Sequence, residues 1–350
     1  MKLSQIKTKE IQDSIRKSRR KRFLPLFIMV CLIIAAAVGA KTYHGHQQKK
    51  AAKSAAQAQA KLEKEAAKQK AEIQKEKTTL KPWYTYHGIS HALGGINGKY
   101  YLNSIDSFYS NYEKGYRIFE MDLRLTTDNV LIGKHKWGSD LTDPLSTKGS
   151  AVSYKTFKKY KFYGRYTPTS FLDMLNLMKK YPDFYLMTDS KNPDIKTVKR
   201  QFSILVQTAK KSGNEKYLDR LIIQIYNEKM FYAIKSIYPF KHFVYTTYQQ
   251  PDAAFYKAAS FCKKNGIEGL TSPESNINDY RMELLDKYGI YSYTHTVNVA
   301  YFAKEYMKLG VYGVYSDFLS PTEINNSYID AYCPKFAARY MKTVIPGLGK

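Results

Sequence analysis

At 350 residues the chain has room for one large domain of catalytic size with accessory segments, or for two ordinary domains. Hydrophobic residues make up 44% and charged residues 25%, which excludes wholesale disorder, and 19 Gly with 12 Pro exclude a collagen-like or elastic fibre. Lys and Arg number 56 against 30 Asp and Glu, a formal net charge of +26, so anionic surfaces, anionic polymers or nucleic acid are the partners its field attracts.

Residues 1–22 form a basic tail, nine Lys/Arg against two acids, ending in Arg19-Arg20-Lys21-Arg22. The uncharged run Phe23–Ala40 follows, 18 residues long. As a helix at about 1.5 Å per residue it suffices to cross a hydrocarbon core. By the positive-inside rule the basic cluster predicts a cytoplasmic N-terminus and a single-pass anchor with everything after it outside the cell. A cleavable signal peptide is the rival reading, since Val38-Gly39-Ala40 resembles a cleavage site. The long basic region and the stalk that follows point instead to an uncleaved anchor. Residues 41–82 are almost only Ala, Lys, Gln and Glu, with eleven Lys against four Glu, and no heptad seam. A solvated, partly helical spacer is expected there, and His44 and His46 belong to it.

Residues 83–350 have the composition of a folded domain. With the uncharged span, they hold 36 basic and 24 acidic residues, net +12. Strands are predicted at Tyr86–His91, Arg117–Leu125, Phe184–Asp189, Leu221–Tyr226, His242–Thr247, Ile267–Thr271, Ile290–Thr296 and Val311–Ser316. Amphipathic helical stretches lie between them at Ser104–Lys114, Thr169–Tyr181, Ile195–Ser212, Asp252–Asn265, Asp279–Tyr288 and Val299–Leu309. Eight strands alternating with helices in one unit is the arithmetic of an α/β fold of the (β/α)8 TIM-barrel type. A doubly wound open sheet is the runner-up, but no G-x-G-x-x-G follows the first strand, and Gly94-Gly95 is too weak a dinucleotide signal. Three cysteines exclude a disulfide scaffold; Cys31 lies in the apolar run, and Cys262 and Cys333 read as thiols without a functional role.

The second strand reads RIFEMDLRLTTD, so Glu120, Asp122 and Arg124 share one face at period two. Two carboxylates on the face of a strand that helices enclose are costly unless a cation or base compensates them. A structural pairing with Arg124 is the bland explanation; a metal or catalytic role is the sharper one. The third strand, FYLMTDSKN, repeats the device with Asp189 and Lys191 at its C-terminal end. Three carboxylates without Cys suit a hard divalent cation, Mg2+ or Ca2+, better than zinc. His91 ends the first strand and His135 follows the VLIG run, both at rim positions where a residue titrating near neutrality can transfer protons. His87 is a rival to His91, His242 begins a strand at the wrong end of the barrel, and His295 either faces the site or is packed.

The order HALGG, NSIDSF, GYRIFEMDLRLTTDN, KHKW, TPTSFLDML and YLMTDSK, continued by RLIIQIYN, YTHTVN and GVYGVYSDF, resembles the glycerophosphodiester phosphodiesterase family over Tyr86–Pro321. The E-x-D…H spacing is the most specific part. The resemblance implies a TIM barrel that uses one divalent cation to cleave phosphodiesters to an alcohol and sn-glycerol 3-phosphate. It implies Glu120, Asp122 and Asp189 as metal ligands, His91 and His135 as general acid and base, and Lys191 as a phosphate contact. Three departures stand out. Ala92 replaces the Arg usual after the first histidine, with Arg124, Lys134 or Lys136 left to substitute for it. Lys136-Trp137 follows the second histidine, where Asp is usual. Asp189 stands where the third ligand is usually Glu, as in the related sphingomyelinase D group.

The expected function is therefore an outward-facing, membrane-anchored, metal-dependent phosphodiester hydrolase acting on glycerophosphodiesters or glycerophosphate-containing envelope polymers. The alternatives are a catalytically silent module that grips such polymers and a sphingomyelinase D-like phospholipase. An acid/base histidine pair favours the enzyme, because binding alone needs none. No nucleic-acid motif is present, and no protein partner can be inferred.

Overall fold

The computed structural model describes residues 80–138, 149–192, 194–248 and 250–331, together with Gln57. The basic tail, the apolar run Phe23–Ala40 and the stalk as far as residue 79, Gln57 apart, lie outside the described residues, as does Cys333. Among the described residues, no helix is long and apolar enough to cross a membrane. Residues 1–77 and 78–350 form separate units, and all the described residues but Gln57 belong to the second.

Among the described residues nine strands run in chain order as β1 Gly88–Ser90, β2 Ile118–Leu125, β3 Leu131–Gly133, β4 Tyr185–Asp189, β5 Leu221–Ile225, β6 His242–Thr246, β7 Gly269–Pro273, β8 Tyr291–His295 and β9 Gly313–Ser316. All but β3 pair in parallel, in the order β1-β9-β8-β7-β6-β5-β4-β2, and a β1–β2 pairing closes the ring. This is a closed eight-stranded parallel α/β barrel, the TIM-barrel architecture. Its strands are apolar on the face that meets the helices. Phe119, Met121 and Leu123 of β2 are fully buried on that side, while Glu120 and Asp122 alternate to the interior.

Six amphipathic segments form the helices expected of them: α1 Ile105–Glu113, α3 Phe171–Lys180, α4 Ile195–Lys211, α6 Asp252–Asn265, α7 Asp279–Tyr288 and α8 Ala300–Lys308. Three more, α2 Tyr154–Lys159, α5 Glu228–Lys235 and α9 Pro321–Asp330, were not expected. The longest, α4, turns Val198, Phe202, Leu205, Val206 and Ala209 to the barrel at three- and four-residue steps. Full burial of each large apolar side chain contributes about 1.5–3 kcal/mol before entropy is set against it. Serine caps start α1, α3 and α9, where Ser104, Ser170 and Ser320 each close a reciprocal bond with the third helical residue.

The short β3 decides where one functional side chain goes. After β2 the chain turns on Thr126, whose hydroxyl accepts from Val130 N at 2.9 Å, and runs back antiparallel with Leu123 opposite Gly133. Lys134 N then donates to Asp122 O at 3.0 Å, which delivers His135 to the C-terminal mouth of the barrel. Gly133 suits this close crossing, because a Cβ there would stand 3.0 Å from Cβ of Asn103 and from Cε of Met121, which would have to shift.

Candidate active site

Three carboxylates, a lysine and a histidine gather at the C-terminal ends of the strands, where barrels of this kind keep their active sites. Glu120 and Asp122 come from β2, Asp189 ends β4, and His91 follows β1 directly. Asp122 and Asp189 are direct neighbours in the β2–β4 register. Glu120, Asp122 and Asp189 each offer one carboxylate oxygen, all within 4.8 Å of one another, and all three residues are buried. Lys191 Nζ answers two of them, 2.9 Å from Asp122 Oδ1 and 2.5 Å from Asp189 Oδ2.

The remaining partners are fixed just as tightly. Asn103 Nδ2 donates to Asp122 Oδ2 at 2.7 Å, and its Oδ1 accepts from Asp122 N at 3.0 Å. Ala92 N donates to Glu120 Oε2 at 2.6 Å. On the far side of Asp189, the Tyr226 hydroxyl donates to Oδ1; Tyr226 in turn accepts from Gln224, whose Oε1 accepts from the Tyr315 hydroxyl in the barrel interior.

One lysine against three buried carboxylates leaves negative charge uncompensated. Burial, followed by the neighbouring charge of Asp122, pushes the Glu120 carboxyl well above the usual carboxylate range. Burial acts upward on Asp122 too, but Lys191, His135 and His91 together hold its pKa down. Burial opposes the charged form of Lys191 and is outweighed by Asp122 and Asp189, which keep it protonated. Asp122 Oδ1 has the Lys191 ammonium 2.9 Å away and, among the described residues, no other hydrogen-bond donor, so a lone pair remains for a cation. An all-oxygen set of three carboxylates fits one hard divalent ion.

His91 Nδ1 lies 2.9 Å from Asp317 Oδ1, and Asn298 Nδ2 donates to the other oxygen of that carboxylate at 2.9 Å. Burial lowers the His91 pKa, but the bond to Asp317 and the charges of Glu120, Asp317 and Asp122 overcome it and raise the pKa to about 9. The ring of Tyr101 contacts both histidines, its centroid 4.9 Å from that of His91 and 4.4 Å from that of His135.

The sequence-predicted set thus divides. Glu120, Asp122, Asp189, Lys191, His91 and His135 meet at one mouth. Arg124, expected on phosphate, instead directs Nε and Nη2 at the backbone carbonyl of His135, at 3.0 and 2.8 Å, and so acts as a brace for that loop. Lys136 is exposed, and Lys134 is buried with its ammonium over the rings of Phe162 and Trp137. Of the other histidines, His87 bonds Tyr312 O at 2.7 Å and stacks on Tyr328, away from the mouth. His242 pairs with Glu268 at the opposite end of the barrel. His295 ends β8 beside Thr271 Oγ1 at 3.2 Å, and burial, with the charges of His91 and Lys191, lowers its pKa to about 4. Sequence reasoning missed Asp317, Asn298, Asn103, Tyr101 and Tyr226. The available signals were the polar residues that punctuate otherwise apolar strand ends, such as Asp317 in VYSDF.

Among curated proteins none matches the chain. Solved structures of the same fold include a glycerophosphodiester phosphodiesterase from Parabacteroides distasonis, 18% identical with a TM-score of 0.55 over 71% of this chain and 99% of that one. A second glycerophosphoryl diester phosphodiesterase from that organism is 15% identical, TM-score 0.54, over 72% and 92% of the two chains. A phosphodiesterase from Oleispira antarctica, solved with the product sn-glycerol-3-phosphate, is 18% identical, TM-score 0.53, over 69% and 96%. At these identities the likeness is one of fold. The sequence profile of the glycerophosphoryl diester phosphodiesterase family, in contrast, matches residues 95–320, more than half of the chain. On that match, and with a barrel of the same architecture, the protein belongs to the glycerophosphoryl diester phosphodiesterase family of enzymes.

Proposed function

We propose that the protein is a metal-dependent phosphodiester hydrolase that cleaves glycerophosphodiesters or glycerophosphate-containing envelope polymers outside the cell, held at the membrane by Phe23–Ala40. The observation that carries the reading is the meeting of three buried carboxylates with a histidine pair at one barrel mouth. Glu120, Asp122 and Asp189 would hold one divalent cation, Mg2+ or Ca2+. Bound there, such an ion supplies charge neutralisation at a phosphate oxygen and acidifies an attacking hydroxyl.

The chain's own groups do the rest. His91 is kept protonated by Asp317, which suits it to donate a proton to the leaving oxygen. His135 takes the proton of the attacking hydroxyl, which belongs either to the neighbouring glycerol or to water. Lys191, fixed by two carboxylates, adds positive charge where the transition state gathers negative charge. Arg124 orients the His135 loop and leaves phosphate to other groups. The product held by the Oleispira antarctica enzyme, sn-glycerol-3-phosphate, is what this chemistry would release.

The charge of the chain favours a polyanionic substrate over a small zwitterionic one, since a polymer gains from the field at many phosphates at once. The test is kcat/KM on a glycerophosphate polymer and on glycerophosphocholine across a salt series. Steering is screened beyond about 8 Å at physiological ionic strength, so the polymer rate should fall as salt rises and the small diester rate should barely move. Equal salt slopes would return the protein to ordinary glycerophosphodiester scavenging.

A further inference from the structure

We propose that Tyr101 is a positioning residue of this site, its ring a wedge that holds the imidazoles of His91 and His135 apart so that each meets the phosphodiester from its own side. The proposal rests on the acid/base reading above.

The backbone carries the first observation. Tyr101 sits at φ +56°, in the left-handed region that a bulky side chain rarely adopts. The strain is not isolated. Ala92, Leu93 and Tyr101 all have positive φ within the loop that joins β1 to α1, and Lys191 shares the feature across the mouth. Such residues persist only where their surroundings over-determine them, and they cluster at active sites. The surroundings of Tyr101 do so. Leu102 is fully buried in a side cluster with Ile132, Phe157, Phe162 and Tyr166. Asn103 N donates to Ala92 O at 2.9 Å and closes the loop, and Ser104 caps α1. With three successive residues pinned, the ring of Tyr101 is forced inward over the mouth.

Ring geometry is the second observation. The Tyr101 ring meets His91 edge to face at 71° and lies over His135 at 33°. The His91 contact falls within the range where aromatic pairs attract, and the His135 contact lies at its short edge. Before reaction, transfer of the proton from the acid to the base, directly or through a shared water, would leave the acid without a proton to donate and the base without a free lone pair. An apolar ring between them removes the path for that water, and it also fixes the span between the two imidazoles. Misplacement of a catalytic group by about 1 Å costs up to about 100-fold in rate. Asparagine tolerates the left-handed region, so Tyr101→Asn removes the wedge while keeping the backbone conformation.

The experiment compares full-length wild type, Tyr101→Asn and Tyr101→Phe in detergent, with bis(p-nitrophenyl) phosphate and Mg2+. Tyr101→Asn should lower kcat by about 10–100-fold with KM within about threefold, and Tyr101→Phe should restore kcat to within about threefold of wild type. Acylation by diethyl pyrocarbonate, located by mass spectrometry, should be faster at His91 and His135 in Tyr101→Asn and unchanged in Tyr101→Phe. Wild-type kcat in Tyr101→Asn overturns the proposal. So does a loss in Tyr101→Phe equal to that in Tyr101→Asn, since the hydroxyl rather than the ring would then matter. If His91→Ala and His135→Ala turn over normally, the acid/base reading fails by itself; the acylation rates still report on the wedge, and equal rates in all three proteins would overturn it.

Discussion

Asp317 Oδ1 lies 2.9 Å from His91 Nδ1, across 226 positions of sequence and across the seam where β9 meets β1. This bond fixes which imidazole nitrogen faces the mouth and holds a proton on the ring well past neutrality, to about pH 9. A histidine whose folded pKa is raised stabilises the fold fully below its ordinary value of about 6.5, and that contribution is lost as pH rises through about 9. A rate that needs protonated His91 falls over the same alkaline range. In Asp317→Asn the alkaline limb of kcat/KM should therefore move to lower pH, by about a unit or more, and stability near pH 7 should drop. A cation on Glu120 and Asp122 cancels their share of the lift and leaves that of Asp317, so the shift should persist in saturating metal. An unmoved limb would remove Asp317 from its role.

The carboxylate triad predicts a metal-dependent melting temperature. A ligand bound only by the native state at 100 times its Kd stabilises by about 2.7 kcal/mol. Wild type should melt higher in Mg2+ or Ca2+ than in EDTA, and Glu120→Gln or Asp189→Asn should show little or no shift and bind no stoichiometric ion by calorimetry. Full binding by either variant would exclude that residue as a ligand.

Lys191 should be structural when the divalent ion is absent and less so when it is present. Its side chain is only 19% exposed and touches Asp122 and Asp189 at once. Removing one partner of a buried ion pair costs about 3–5 kcal/mol. Lys191→Met should approach that loss in EDTA, and saturating Mg2+ should recover part of it by replacing the missing charge. Equal destabilisation under both conditions would show that the lysine and the cation do not share the same carboxylates.

The barrel was legible because its signals are local. Period-two apolarity marks β2 with Glu120 and Asp122 on the interior face, and amphipathic spacing marks α4. What was not legible arises from closure and from short elements. Asp317 becomes a partner of His91 only when β9 pairs with β1, and Asn103 reaches Asp122 from the loop before α1, which packs closely on Gly133 of β3. Arg124 shares the strand face of the carboxylates, yet the antiparallel return of β3 supplies it with the His135 carbonyl before any ligand could. The eight-residue α5 is too short for its periodicity to stand out between two strands.

Phe23–Ala40, preceded by nine basic residues, is expected to remain as an anchor with the barrel outside. Protease added to intact cells should cut the stalk and release the catalytic unit. Complete protection would reverse the orientation, and a mature form beginning at Lys41 would show that the segment is cleaved.

The most direct test of the account is hydrolysis of glycerophosphodiesters by full-length wild type, His91→Ala and His135→Ala, each with Mg2+ and with EDTA. Wild type with metal should release sn-glycerol 3-phosphate, EDTA should abolish the release reversibly, and each histidine variant should lose about 100-fold or more while keeping its metal-induced rise in melting temperature. Turnover by a folded histidine variant near the wild-type rate, or wild-type hydrolysis undiminished by EDTA, would contradict it.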